Sequence, residues 1–116
     1  FLPWIFTANF MEDSTKMSRM IDRIEKKSIP QSNEGYIGQV HAVLNHDARE
    51  ILPQITQPTL CMTGDEDLIT PPHCAKEMAQ MIGQAELKLL EKVGHCAYIE
   101  DPTQYNQAVV SFLKNL

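Results

Sequence analysis

The chain has 116 residues, 43% apolar and 22% charged, which suits a single packed domain and argues against global disorder. It carries 10 Lys and Arg against 15 Asp and Glu, a net charge of −5, so neither nucleic acid nor an anionic membrane surface is an expected partner. No stretch approaches the roughly 20 apolar residues needed to span a bilayer, so we do not expect a membrane protein.

Cysteine usage and the first residues bear on the cellular compartment. The three cysteines, Cys61, Cys74 and Cys96, are an odd number, which is not typical of a disulfide framework. We therefore expect reduced thiols and a cytoplasmic protein. The opening residues, Phe1–Phe6, have neither an initiator Met nor a basic segment. They do not resemble a secretory signal and instead suggest a chain that begins within a longer one.

The first part of the chain, residues 1–52, has a helical pattern. A helix is predicted from about Ser14 to Ser28, capped by Asp13 or Ser14, because apolar residues recur every three or four positions. The apolar face of this helix consists of Met17, Met20, Ile21 and Ile24. A second helix is predicted from Asn33 to about His46, with Ser32 as its N-cap. The residues predicted to face inward on it are Tyr36, Ile37, Val40 and Leu44.

The second part, residues 53–116, alternates strand and helix patterns. The apolar run from Pro58 to Thr63 predicts a strand buried on both faces, as in parallel sheets. A polar loop follows, and then a helix with Thr70 as cap, Pro71 as first residue and Gly83 as stop.

A second strand and a last helix complete the pattern. The strand is predicted from Glu86 to Glu91, and the loop after it from Lys92 to Glu100. Asp101, Pro102 and Gln104 stand in the register of an N-cap, a first-turn proline and a capping-box residue. Strands that alternate with helices predict a parallel sheet with right-handed crossovers.

Two strands cannot form a parallel sheet that is buried on both faces. We therefore expect the strand from Pro58 to Thr63 to have a second neighbour that this chain does not contain. The expected partners are another copy of the chain, which could also exchange the two helices of residues 1–52, or a missing N-terminal portion of the same protein.

Chemistry is expected in the two loops that follow the strands, since the carboxyl ends of parallel strands meet at one sheet edge. One loop, Gly64–Pro72, offers carboxylates, and the other, Val93–Ala97, offers an imidazole. Neighbouring strands lie about 4.8 Å apart, so these side chains can meet. A carboxylate on one ring nitrogen orients a histidine as a general base. The alternative interpretation is an Asp that caps a turn and a His that bonds the backbone.

The motifs in these loops resemble the C-terminal part of an α/β-hydrolase. They are an apolar strand followed by Gly64-Asp65-Glu66-Asp67, then Thr70-Pro71-Pro72, then Val93-Gly94-His95 and Glu100-Asp101-Pro102. The resemblance covers about Pro53 to Leu116. It implies an α/β fold in which the chain supplies the last two strands of the sheet and their flanking helices, preceded by helices of a cap.

The resemblance also implies roles for individual residues. Asp67 matches the triad acid of the family and His95 the triad base, in the family's chain order of nucleophile, acid and histidine. Asp65 and Glu66 do not match the acid position. Residues 1–52 resemble the end of a helical cap, which makes Trp4, Phe6 and Phe10 candidate substrate-binding residues. The candidates extend to Met11, Met17 and Met20. The alternative is that these apolar side chains simply pack.

The nucleophile of the family is absent from this chain. None of the serines stands in a G-x-S-x-G turn; they are Ser14, Ser18, Ser28, Ser32 and Ser111. No HGG-type oxyanion loop is present either. The resemblance thus implies part of a serine hydrolase that acts on an ester, lactone or related acyl bond of a small molecule, with no cofactor or metal. The chain alone is expected to be inactive.

Several alternatives remain open. One is a non-catalytic hydrolase-like binding or receptor module, and another is a dehalogenase or epoxide hydrolase relative with an Asp nucleophile. Cys96 as a thiol nucleophile is disfavoured because adjacent side chains in an extended loop point apart. Zinc at His73-Cys74 and His95-Cys96 is disfavoured because paired ligands usually stand two or more residues apart.

Overall fold

A computed structural model of the chain describes residues 1–27 and 29–116. Ser28, the predicted end of the first long helix, lies outside the described residues. The elements of the first part are α1 (Leu2–Ile5), α2 (Ala8–Glu12), α3 (Ser14–Lys27), α4 (Asn33–Leu44) and a 3-10 turn (Leu52–Gln54). The elements of the second part are β1 (Thr59–Gly64), α5 (Pro72–Met81), β2 (Ala85–Leu90), α6 (Ala97–Glu100) and α7 (Pro102–Lys114).

Side-chain caps start the helices of the first part. The Asp13 carboxylate accepts from the Thr15 and Lys16 amides at 3.0 Å, so it caps α3. The Ser32 hydroxyl accepts from the Gly35 amide at 3.0 Å and caps α4. Both caps agree with the sequence pattern, because a cap depends only on residues within the first turn.

The predicted inward face of α4 is wrong. Its four apolar residues are exposed, from Val40 at 36% to Leu44 at 76%. On α3, Ile21 and Ile24 are also exposed, whereas Met17 and Met20 are half-buried. Apolar periodicity shows that a helix has one apolar face, but that face is buried only where another element covers it.

The two strands are parallel neighbours, with α5 as the connection between them. The register runs from Thr59 opposite Ala85 to Gly64 opposite Leu90. Each strand differs by one residue from its predicted span. The predicted burial of β1 on both faces is met only in part, since Cys61 is buried while Leu60 and Met62 are half-buried.

The predicted start of α5 is also wrong. Pro71 takes the N-cap position and Pro72 is the first helical residue, one position later than expected. The Thr70 hydroxyl instead donates to Asp67, as described below, and therefore does not cap the helix. The helix ends at Met81, before the predicted stop at Gly83.

The core lies beneath the loop that carries His95. Leu90, Val93 and Ala97 are buried together, and Met62, Tyr105 and Ala108 pack against them. Val93 and Ala97 each stand two residues from His95, so core packing anchors the histidine loop on both sides. Within residues 1–27 and 29–116, no helix combines the length and the apolarity that crossing a membrane requires.

Candidate active site

The ends of β1 and β2 carry two loops that are joined by backbone hydrogen bonds. The Asp65 amide donates to the Leu90 carbonyl at 2.9 Å, and the Glu66 amide donates to the Val93 carbonyl at 3.1 Å. The Asp65 carboxylate accepts from the Lys92 amide at 2.7 Å. Lys92 has a left-handed backbone with a φ of 57°, and this bond holds it there. Asp65 therefore joins the loops, and the hydrogen bonds of the His95 imidazole go to other residues.

Gly64 permits the close approach of the two loops. A Cβ at this position would lie 2.5 Å from the Gly94 carbonyl oxygen and closer still to that of Val93. Both are backbone atoms, which cannot rotate away. The glycine of the G-x-x-D motif is thus required where the acid loop passes the histidine loop.

Asp67 and His95 meet at this junction, as the sequence predicts. His95 Nδ1 lies 2.9 Å from Asp67 Oδ2. The Asp67 side chain is 3% exposed, whereas that of His95 is 35% exposed. A buried acid therefore supports an imidazole that is open to solvent on its other side.

The hydrogen bonds to Asp67 reach both carboxylate oxygens. Oδ1 accepts from the Ile69 and Thr70 amides at 2.8 and 2.9 Å. Oδ2 accepts from the Thr70 hydroxyl at 2.9 Å and from the Thr63 hydroxyl at 3.3 Å. Burial by itself raises the pKa of Asp67, but the bonds from Thr70, His95 and Ile69 together outweigh it and hold the pKa below its ordinary value.

These bonds determine which nitrogen of His95 carries the proton. A carboxylate can only accept, so Nδ1–H donates to Asp67. In the neutral ring, Nε2 then has the free lone pair. Among the described residues Nε2 has no hydrogen-bond partner, and the half-exposed ring leaves it accessible. The arrangement can take up a proton at Nε2 while Asp67 stabilises the resulting imidazolium.

The candidate substrate-binding residues lie in the segment that borders the histidine loop. The Cys96 amide donates to the Ile5 carbonyl at 3.3 Å, which places residues 4–6 beside this loop. Trp4 is 65% exposed, whereas Phe6 and Phe10 are buried and stack with their ring centroids 4.7 Å apart. A substrate-binding role for the three aromatic residues stays a prediction.

Phe10 also reaches a cleft between α3 and α6. The cleft has a volume of about 340 Å³ and is lined by Phe10, Lys16, Arg19, Met20, Arg23 and Ile99. Its lining combines three apolar side chains with three cationic ones.

Sequence reasoning missed three polar side chains at the site. Thr63 and Thr70 donate hydrogen bonds to the Asp67 carboxylate through their hydroxyls. Glu100 is 8% exposed and accepts hydrogen bonds from Thr7 and Gly94. The motif contains Glu100 as the residue before Asp101-Pro102, but only the folded chain shows which donors it receives.

The cysteine and zinc alternatives gain no support from the geometry. Burial, the largest effect, raises the pKa of the Cys96 thiol, and the Glu100 and Asp67 carboxylates raise it further against a lowering bond from Tyr98. A protonated thiol is a poor nucleophile. In the part of the chain that the structure describes, no three His, Cys, Asp or Glu residues are grouped as a metal site.

Comparison with known proteins identifies the fold. A family model described as alpha/beta hydrolase fold matches residues 5–102. The enol-lactonase structure from Burkholderia xenovorans superposes with a TM-score of 0.82 at 32% identity, covering 97% of this chain and 42% of that one. Asp67, His95 and both strands lie within the matched region.

Two curated relatives agree in family. RutD of Yersinia enterocolitica, which is named as a proposed carbamate hydrolase, is 24% identical over 110 residues, covering 95% of this chain and 39% of RutD. The 3-oxoadipate enol-lactonase 2 of Acinetobacter baylyi is 28% identical over 109 residues, covering 94% of this chain and 39% of the enzyme. The chain thus spans about two fifths of the length of these relatives. The predicted fold class is confirmed, and the chain belongs to the alpha/beta hydrolase fold family.

Proposed function

We propose that this chain supplies the acid and the base of a catalytic triad in a serine hydrolase that acts on a carboxylic ester, lactone or related acyl bond. The observation that carries the proposal is the 2.9 Å contact between buried Asp67 and half-exposed His95. None of the serines stands in a G-x-S-x-G turn, so we assign the nucleophile to a segment outside these 116 residues, which precedes the acid in the family's chain order.

The geometry supports a two-step acyl transfer. His95 Nε2 takes the proton of the nucleophilic hydroxyl as that oxygen attacks the acyl carbonyl. Asp67 remains ionised and stabilises the imidazolium, which its lowered pKa favours. The imidazolium then gives the proton to the leaving alcohol or enol. In the second step His95 activates a water that hydrolyses the acyl-enzyme.

The relatives support an acyl bond as the target. Two similar proteins are named enol-lactonases, and a third is named as a proposed carbamate hydrolase. Enol lactones and carbamates share a carbonyl carbon that bears an oxygen or nitrogen leaving group. Acyl transfer assisted by one acid–base dyad can cleave each of these bonds, so we assign the bond class and not one molecule.

The proposal is tested in the complete protein that contains this segment. Asp67→Asn should lower kcat for p-nitrophenyl esters by about 10⁴ without unfolding the protein, because Asn favours the wrong imidazole tautomer, as in serine proteases. Glu66→Gln is the matched control, since Glu66 is an exposed carboxylate one residue away and should leave kcat unchanged.

Two results would contradict the proposal. One is an Asp67→Asn protein that keeps the kcat of the wild type. The other is ester turnover by the 116-residue chain alone that survives thiol blocking and disappears in His95→Ala, because that outcome would reveal a nucleophile within these residues. The chain alone should show no such turnover.

A further inference from the structure

Glu100 is a buried carboxylate that the proposed chemistry does not use. It ends α6 and is 8% exposed. Oε2 accepts from the Thr7 hydroxyl at 2.6 Å and from the Thr7 amide at 3.2 Å. Oε1 accepts from the Gly94 amide at 2.8 Å and more weakly from the Thr7 amide at 3.4 Å. One side chain thus joins two segments that are far apart in the chain.

One of the joined segments is residues 2–12, which contain α1 and α2 and which we name the cap segment after its predicted role. The other is the loop that carries His95. Thr7 stands between α1 and α2, is itself buried, and caps α2 through a bond from the Phe10 amide at 3.2 Å. Gly94 is the residue before His95. The carboxylate is therefore a direct link from the start of the cap segment to the residue beside the candidate base.

The backbone of His95 is held on both sides by these contacts. The Gly94 amide, on one side, donates to Glu100, and the Cys96 amide, on the other, donates to the Ile5 carbonyl. The fit is close, because a Cβ on Gly94 would lie 2.8 Å from Glu100 Oε1 and 2.9 Å from the Ile5 carbonyl oxygen. A residue with a side chain would therefore not fit at position 94 without a shift of Glu100 or of the cap segment.

The imidazole itself has few restraints. Its ring is one-third exposed, and its hydrogen bonds to described residues all involve Nδ1, with Asp67 and, at 3.4 Å, with Thr70. The placement of Nε2 therefore depends on where the backbone of residues 94–96 is held. Glu100 and the cap segment hold that backbone.

We propose that Glu100 is a positioning residue for His95, which makes the placement of the base depend on the docking of the cap segment at Thr7. The inference rests on the proposed function only for what His95 does, and the link itself is independent of it. A carboxylate suits this position because both of its oxygens accept, whereas an amide presents a donor to one of the N–H or O–H groups already aimed at it.

The test compares Glu100→Gln with Glu91→Gln in the complete protein. Glu91 is an exposed carboxylate directly after β2, and its side chain makes no hydrogen bond to the described residues, so Glu91→Gln should match the wild type. Glu100→Gln should lower kcat for p-nitrophenyl esters by up to about 100-fold, because small displacements of a catalytic group cost this much. KM should stay near that of the wild type, since substrate contacts remain.

A second readout does not require turnover. In protein labelled with ¹⁵N-histidine, the proton on His95 Nδ1 should give a low-field resonance that is absent in His95→Ala. Glu100→Gln should shift or broaden this resonance, and Glu91→Gln should not. If the wild type hydrolyses no ester, the proposed function fails while this resonance still tests the link between Glu100 and His95.

Thr7 provides a second pair of variants in case Glu100→Gln does not fold. Thr7→Val removes the hydroxyl that donates to Glu100, and Thr7→Ser keeps it. Thr7→Val should show the same loss of kcat and the same altered resonance as Glu100→Gln. Thr7→Ser should keep the kcat and the resonance of the wild type.

A purely structural role would give a different pattern. A Glu100→Gln protein with a lower melting temperature, but with the kcat per folded molecule and the Nδ1 resonance of the wild type, would overturn the proposal. Equal behaviour of Thr7→Val and Thr7→Ser would overturn it as well.

Discussion

Asp67 is held in its ionised form by donors that reach both of its oxygens. Its pKa in the folded protein lies below the ordinary value of 3.8 because the bonds from Thr70, His95 and Ile69 outweigh the effect of burial. A carboxyl whose pKa is depressed by folding stabilises the folded state when it is ionised. That contribution is present above the ordinary value and is lost as the pH falls through the lowered pKa.

The stability of the complete protein should therefore depend on pH through Asp67. Wild type and Asp67→Asn should differ most in melting temperature near about pH 7, and the difference should shrink as the pH falls below 3.8 and through the lowered pKa of the Asp67 carboxyl. Thermal unfolding followed by circular dichroism measures both. Glu66→Gln should follow the wild type, and a difference for Asp67→Asn that stays constant over this range would contradict the explanation.

Gly64 is the residue on which the spacing of the two loops depends. Gly64→Ala would place a Cβ against the backbone of Val93 and Gly94, so one loop must move. Overpacking of this kind costs about 1–3 kcal/mol or more, and here it also separates Asp67 from His95. Urea unfolding of the complete protein should show the lower free energy of unfolding, and ester hydrolysis should fall with it.

Gly83 offers the matched control for this substitution. A Cβ there meets nothing within 4 Å. Gly83→Ala should be neutral or should stabilise the protein by about 0.4–1 kcal/mol, because alanine lowers the conformational entropy of the unfolded chain. If Gly64→Ala proves as harmless as Gly83→Ala, the close approach of the loops does not depend on the glycine.

Among the elements, α7 is joined to the end of β2 through its first turn. Asp101 accepts from the Gln104 amide at 2.9 Å and caps the helix. The Gln104 side chain, in turn, accepts from the Glu91 amide at 2.6 Å and donates to the Glu91 carbonyl at 3.2 Å. The cap is therefore both a helix start and an attachment of α7 to the sheet.

Loss of this cap should destabilise the protein by a predictable amount. Asp101→Ala should lower the free energy of unfolding by about 1 kcal/mol, the usual cost of removing an N-cap acceptor. Asp101→Asn keeps the acceptor and should retain most of the stability. Chemical denaturation of the complete protein measures both variants, and equal losses for Ala and Asn would show that the capping bond is not the cause.

The elements also show what could be predicted from the sequence. The caps at Asp13, Ser32 and Asp101 follow from neighbouring residues, so local patterns identify them. The contact between Asp67 and His95 follows from strand order, which brings the two loops to one edge. The bonds of Thr63, Thr70 and Glu100 could not be predicted in this way, because they depend on where side chains meet in three dimensions. The exposed face of α4 is a similar case, since periodicity does not reveal what covers a face.

At the scale of the whole molecule, the described sheet has only two strands, and one edge of β1 is without a neighbour. Among the described residues β1 pairs with β2 alone, so its other edge has no strand beside it. The chain spans 42% of the enol-lactonase structure that it resembles. Residues Thr59–Thr63 contain no Lys or Glu that would discourage pairing, although Pro58 protects one end.

The 116-residue chain by itself should therefore self-associate. A strand edge without a neighbour presents a row of N–H and C=O groups, and such an edge pairs readily with a strand of another chain. Pairing of β1 with β1 of a second copy would satisfy these groups, and so would an N-terminal portion supplied in trans. Size exclusion with light scattering should show a dimer, a larger species or an insoluble product. Added N-terminal portion should shift the mass to that of a heterodimer. A monodisperse species of 13.2 kDa that unfolds cooperatively would show that the edge needs no partner.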